Sequence, residues 1–363
     1  MTSSGRCETG VRWSLSVVAM CAARSRPARV MSWQMASESR REYEPFDRRQ
    51  RRNDRAMSGP AGTDLDKAVH DFSAQKGRLF GIAYRMLGTV ADAEDIVQDV
   101  WVKWQSYAGR DSVRDVEAFL VTMTTRQAIN ATQTARVRRE TYIGPWLPEP
   151  VDTSADPSLG AERAAALETA VLVVLEKMTP TERAAFVLRE AFDYPYSRIA
   201  EVLEIKEPAT RKLVSRARQA IESDRRVSVD TAHQRRLLAA FLNAARAGEF
   251  DELEALFATE VASYSDGGGA VRNASRIPVF GRTRVAKYVA AFASHFWTGV
   301  AIDWVDANGR ASVVISRDGA PIAWLGVGAA DDETIDRLYW VFNPAKLGHI
   351  AHAVAVPRES AGP

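Results

Sequence analysis

Two all-helical domains followed by an α+β domain with a curved antiparallel sheet are what this 363-residue sequence predicts. Three observations carry the expectation. Apolar residues recur at helical spacing from Phe72 to about Ser223, a stretch with four prolines in 17 residues (144–160) interrupts them, and after residue 258 the period changes. There, short β-branched and aromatic runs are punctuated by Gly, Asn-Gly and Asp-Gly. With 46% apolar and 26% charged residues, the chain is neither fibrous nor mainly disordered.

The net charge of +2 conceals an asymmetry. Residues 1–56 hold 12 Arg, no Lys and 6 acids, while the remainder carries 36 basic and 40 acidic side chains. Both cysteines, Cys7 and Cys21, lie in this arm, which excludes disulfides, thiolate metal sites and a Cys nucleophile from everything downstream. Residues 13–23 are apolar and follow two arginines, but they are too short to span a bilayer and an Arg-rich run follows them. Residues 1–62 therefore read as a disordered Arg-rich extension on a cytoplasmic protein, with Met57 as a second plausible start. A basic arm lending nonspecific DNA affinity is the sharper alternative.

Residues 63–142 form the first helical block. Leu79, Ile82, Ala83, Met86 and Leu87 make one apolar stripe that Gly88 ends. The next helix turns Ile96, Val97, Val100, Trp101 and Trp104 inward and leaves Asp92, Glu94, Asp95, Gln98 and Asp99 outward. A third spans about Glu117 to Arg136 and closes in Arg136, Arg138 and Arg139. The linker, 143–160, cannot be a continuous helix. Its Trp146 and Leu147 predict docking, because a solvated spacer gains nothing from them.

Residues 161–228 carry a helix-turn-helix. Thr179, Pro180 and Glu182 make a capping box with proline in the first turn, ahead of a helix burying Ala185, Val187, Leu188 and Ala191. Two short helices follow, the second from Pro208 to Glu222 with Arg211, Lys212, Ser215, Arg216 and Arg218 on its polar side. Residues 208–226 hold six basic and two acidic side chains, suited to phosphates and, through Arg, to guanine edges. Glu204 and Lys206 occupy a turn where glycine is common, at a cost of ~1 kcal/mol. Residues 232–355 predict two helices, a third at 285–297 and a meandering sheet around an apolar cone lined by Trp304, Trp324 and Trp340. Residues 356–363 are a tail.

From about Phe72 to Ser223 the chain resembles an extracytoplasmic-function sigma factor of bacterial RNA polymerase, and 233–354 resembles a SnoaL-like domain. The subgroup that fuses the two has three motifs. They stand here as Trp146-Leu147-Pro148-Glu149-Pro150, Asp266-Gly267-Gly268-Gly269-Ala270 and Asn343-Pro344-Ala345-Lys346-Leu347. The resemblance implies that Asp95, Gln98 and Asp99 bind core RNA polymerase, through its β′ and β subunits. It implies that Arg126, Asn130, Gln133, Arg136, Arg138 and Arg139 recognise and open the −10 element, and that the helix from Pro208 reads the −35 element. It further implies regulation in cis by contact of the fused domain with the linker, with no separate anti-sigma factor, no membrane, no cofactor and no catalysis. Ala270 replaces the family lysine, which predicts a missing charged contact, to Glu149. The segment 128–133 also lacks the Asp and Arg expected of relatives.

Two other readings compete. The cone is a small-molecule enzyme, with Asp266, Asp303 or His295 as the acid or base, or it senses a ligand without transforming it. Metal binding by His349 and His352 is weaker than a surface pair, given five histidines and no thiol downstream of residue 21.

Overall fold

The computed structural model describes residues 61–153, 167–224 and 230–355, except 273 and 332. The Arg-rich arm to residue 60, both cysteines, linker residues 154–160 and the tail lie outside the described residues. Helix α1 (Ala61–Leu87) buries the predicted stripe completely and ends at Gly88, whose φ is +74°. Helix α2 (Val90–Ser106) buries Ile96, Val97, Val100 and Trp104; Trp101, expected beside them, is only half-buried, its ring 5.1 Å from that of Phe72. Helix α3 (Val116–Glu140) starts where the Asp115 carboxylate accepts the Ala118 N–H. It runs four residues past the predicted end, so the basic cluster lies on the helix itself.

Helices α4 (Thr169–Leu175) and α5 (Pro180–Phe186) follow, the latter with both arms of the Thr179–Glu182 capping box formed. A π-helical turn at Val187–Ala191 leads to α6 (Tyr196–Leu203) and α7 (Glu207–Asp224). Glu204 sits in the turn at φ +57°, the left-handed conformation that a side chain adopts reluctantly. The two helical blocks do not have separate cores. Leu79, Met86, Val97, Leu120, Val187 and Val214 belong to one apolar cluster, so burial joins what the linker divides in sequence.

In the last domain α8 (Thr231–Ala247) and α9 (Phe250–Leu256) precede β1 (Phe257–Asp266) and β2 (Val279–Phe280). Helices α10 (Arg282–Ala290) and α11 (Ala293–Phe296) lead to β3 (Val300–Ala307), β4 (Arg310–Arg317), β5 (Ala320–Ala329) and β6 (Ile335–Val341). Helix α12 (Gly348–Ala355) closes the described chain. The sheet order is β2-β1-β6-β5-β4-β3, and it is mixed rather than wholly antiparallel, because β1 and β6 run parallel. The chain leaves β1 through α10 and α11, enters at the far edge and meanders back, which delivers β6 beside β1 in the same sense.

Strand alternation gives the sheet two distinct faces. Leu325, Leu338 and Trp340 pack inward with Phe241 of α8. Val314, Trp324, Tyr339 and Val341 face outward with Leu147 of the linker, Leu347 and Ile350. Trp324 is therefore no lining of the cone: it pairs across the sheet with Val314 and Val341, which share the outer face. No helix among the described residues is long and apolar enough to cross a membrane.

Candidate functional site

Linker residues 142–153 run between the helical block and the outer face of the sheet, with the backbones of Leu147, Glu149, Val151 and Thr153 held by hydrogen bonds. Trp146 is the pivot. Its ring fits over Gly88, where an added Cβ would stand 2.5 Å from Cη2. The guanidinium of Arg139 lies 3.7 Å from the ring centroid and the ammonium of Lys346 4.3 Å, so cations from two domains share one indole. Next to it, Leu147 is fully buried against the sheet.

Asp266 is the acceptor hub on the sheet side. Buried completely, it takes the Leu147 N–H (2.9 Å) and the Lys346 ammonium (2.7 Å) on one oxygen and the Tyr142 hydroxyl on the other. Lys346 also donates to the Leu147 carbonyl at 2.6 Å. Burial pulls the Lys346 ammonium below its usual range and the Asp266 carboxylate opposes that pull, so neither charge is tolerable here without the other. Asn343 donates to the Tyr142 hydroxyl at 2.8 Å, and burial together with Asp266 raises that phenol well above its ordinary value. The DGGG turn makes room for this approach: Gly268 (φ +57°) faces Asn343 and Tyr142, and Gly269 (φ +75°) faces Ile143. Gly267 instead packs on Ala274 inside its own loop.

Glu149 holds the helical side. Its backbone N–H donates to the Gly88 carbonyl and its carbonyl accepts the Tyr84 hydroxyl, while its carboxylate accepts the first N–H of α2, Val90, at 2.9 Å. A carboxylate there complements the helix N-terminus. The other carboxylate oxygen lies 2.8 Å from Nδ1 of His349. Ala270 is exposed, and Glu149 takes its side-chain partner from α12 instead. His349 is exposed at the surface and reaches Glu149 from there. Pro148 and Pro150 are buried between these anchors, and Pro344 opens the short 3₁₀ turn, capped by Asn343, that presents Lys346.

Beyond Pro150 the linker adds itself to the β3–β4 hairpin. Asp152 bridges Ala307, and Asn308, at φ +55°, exchanges hydrogen bonds with Val151 and donates to the Tyr84 hydroxyl at 2.8 Å. The Asn-Gly pair was legible as a hairpin turn. That its side chain reaches across to α1 was not.

Residues 72–139 match the family model for sigma-70 region 2, and residues 168–221 match that for sigma-70, region 4. The ECF RNA polymerase sigma factor SigJ of Mycobacterium tuberculosis is 37% identical over 239 residues, spanning 64% of this chain and 75% of that protein. The chain belongs to the extracytoplasmic-function RNA polymerase sigma factors. A relative described as probable ECF RNA polymerase sigma factor SigI, also from Mycobacterium tuberculosis, is 27% identical over 278 residues, 76% of this chain and 92% of that one. The crystal structure of the Mycobacterium tuberculosis extracytoplasmic function sigma factor SigJ superposes with a TM-score of 0.64 at 32% identity, covering 77% of this chain and 98% of that chain. The two matched regions alone do not reach that share, so the likeness extends into the α+β domain.

On this sigma factor the residues expected to meet polymerase and DNA fall into three groups. Asp95, Gln98 and Asp99 are exposed along α2, and Asn130 and Gln133 are exposed on α3. On α7, Lys212 and Ser215 are exposed, while Arg211, Arg216 and Arg218 are exposed but paired with Glu207, Glu182 and Glu190. Arg211 also lies over the Tyr196 ring at 4.3 Å. The third group is engaged within the chain. Arg126 donates to the Val202 and Glu201 carbonyls and pairs with Glu204, so it closes the end of α6. Arg139 pairs with Glu176, donates to the Leu87 carbonyl and stacks on Trp146; Arg138 pairs with Asp92; Arg136 faces Glu140 at 3.9 Å.

The residues proposed as acid or base inside the cone are not assembled there. Asp266 faces the linker, and Asp303 pairs across the sheet with Val314 on the outer face. Only His295 stands at the inner cavity, exposed at its mouth. Tyr142, Tyr84, Gly88, Asn308 and His349 are the site residues that the motifs did not reveal. Each is partnered by a residue at least 58 positions away or sits beneath one, which periodicity cannot register.

Proposed function

We propose that this sigma factor directs core RNA polymerase to a two-element promoter and is restrained in cis by its carboxy-terminal domain, which clasps the linker between regions 2 and 4. In the reading, Asp95, Gln98 and Asp99 dock the core enzyme. Asn130, Gln133 and Arg136 meet the −10 element together with Arg126, Arg138 and Arg139 once these are released. Arg211, Lys212, Ser215, Arg216 and Arg218 read the −35 element. The protein works in the cytoplasm, where its targets are, and its own domain takes the place of a separate anti-sigma factor.

The observation that carries the restraint is the contact of both Arg139 and Lys346 with the ring of Trp146. It locks a cation expected at the −10 element and the regulatory lysine onto one linker residue. Arg126 does the same between α3 and the helix-turn-helix, so the arrangement holds regions 2 and 4 together in one core. Such a clasp acts at high effective concentration and is opened by modest competing contacts. Core polymerase, offering contacts to both regions, is the natural competitor.

The test is run-off transcription with core polymerase on a randomised promoter pool, comparing the intact chain with its Lys346→Ala and Asp95→Ala/Asp99→Ala variants. Lys346→Ala is expected to increase product and the acidic pair to abolish it through lost core binding. An intact chain that fails to bind core polymerase at low salt would overturn the reading.

A further inference from the structure

The inner face of the sheet carries a cavity of about 330 Å³, at the small end of ligand pockets (about 300–1,000 Å³). Phe292, Phe296, Trp297, Trp340 and Phe342 dominate its wall. Two polar features stand out. Ser265 is buried to 1%, lines the cavity, and its hydroxyl has no hydrogen-bond partner. A buried orphan hydroxyl is costly, and a ligand acceptor or donor at that point removes the cost. At the rim, Arg317 is half-buried and, among the described residues, donates to the main-chain carbonyls of Phe296 (2.7 Å) and His295 (3.4 Å). No carboxylate lines the cavity among the described residues, so the guanidinium charge is uncompensated there.

The cavity and the clasp share a wall. Ser265 faces the cavity and its neighbour Asp266 faces the linker; just past the end of the adjoining strand β6, Phe342 lines the cavity and Asn343 holds Tyr142. The carbonyl of Asp266 accepts the N–H groups of both Phe342 (2.8 Å) and Asn343 (2.9 Å), pinning the two pairs together. Val271 and Ala274, from the loop that begins with the DGGG turn, complete the wall. That loop is braced from outside by Tyr142 and Ile143 against Gly268 and Gly269.

We infer that the cavity is a receptor site for a small planar aromatic anion, of one or two rings with a carboxylate at Arg317, and that its occupancy tightens the linker clasp. The rings would lie among the aromatic side chains, edge-to-face, with one polar group reaching Ser265. Because the wall is formed while the clasp is closed, a ligand that uses it favours the closed state, and tightening in one direction requires tightening in the other. The consequence for transcription rests on the restraint proposed above; the binding and the coupling do not.

The experiment uses the intact chain with 1-naphthoate as probe, its neutral isostere 1-naphthamide as control, and amide hydrogen exchange as the readout of the linker. We expect 1-naphthoate to quench tryptophan fluorescence saturably, to bind at least tenfold more tightly than 1-naphthamide, and to lose that advantage in Arg317→Gln. Ser265→Ala should weaken 4-hydroxy-1-naphthoate, whose hydroxyl is a second polar group, at least threefold while leaving 1-naphthoate unchanged, and serves where Arg317→Gln is poorly folded; equal effects on the two acids would count against the site. At saturation the amides of 147–151 should exchange severalfold more slowly. Tyr142→Phe, which touches no part of the cavity, should raise the 1-naphthoate Kd at least threefold. Absence of binding, or equal binding of acid and amide, overturns the receptor site; unchanged exchange together with an unchanged Kd in Tyr142→Phe overturns the coupling. Binding that slows exchange yet leaves run-off transcription unaltered would support this inference and count against the restraint.

Discussion

The arginines of α3 and those of α7 were expected to do the same work, contact with DNA, yet the fold treats them differently. Arg211, Arg216 and Arg218 pair with glutamates in the open, where an ion pair contributes about 0–1 kcal/mol. Arg139 is mostly covered, pairs with Glu176 and stacks on Trp146, and Arg126 caps the end of α6. Phosphate can therefore displace the glutamates of α7 with little loss, and Arg126, itself exposed, gives up only surface bonds, whereas using Arg139 on DNA requires that packed elements part. The basic side of α7 is open as it stands; on α3, Arg139 is the arginine held back by packing. Under the proposed restraint, that difference would put the regulated step at the −10 side and at the linker.

The strongest way to break the contrast is Asp266→Ala. It leaves Lys346 buried without its carboxylate and should destabilise the clasp by about 3–5 kcal/mol, seen as loss of exchange protection at Leu147 and a lower urea midpoint. Trp146→Ala removes the ring shared by Arg139 and Lys346. Because the ring is only half-buried, about 2–3 kcal/mol is expected, below the usual range for a core Trp, with linker protection lost in the same measurement. Glu204→Gly acts at the junction itself. Relief of the φ of +57° should stabilise by ~1 kcal/mol in thermal unfolding, less the small contribution of the exposed pair with Arg126. Arg216→Ala should change stability by less than ~0.5 kcal/mol while weakening promoter binding by about 1–3 kcal/mol in a gel-shift titration, the behaviour of an available side chain.

Much of this molecule is written in local signals. The Thr179–Glu182 box, the stop at Gly88, the apolar stripe of α1 and the unfavourable turn at Glu204 need only neighbours three or four residues away. Trp146 and Leu147 betrayed a docking linker by their cost in water, before any partner was known. What could not be read were consequences of distant pairing. The parallel β1–β6 pair depends on the route of the chain through α10 and α11. The outward turn of Trp324 and Asp303 depends on register, which a single residue reverses. Arg126, Arg138 and Arg139 looked like a free basic surface because sequence shows their charge but not Glu204, Asp92 and Glu176 folded opposite them. The partner of Glu149 likewise arrives from His349, 200 residues away along the chain.

The central claim is that the carboxy-terminal domain restrains initiation by holding the linker, and run-off transcription from one saturating preparation of core polymerase tests it most directly. Lys346→Ala and the intact chain are compared on the same randomised promoter pool, with core binding measured in parallel. The account predicts more transcript from the variant at equal core occupancy; equal or lower output at equal occupancy would contradict it.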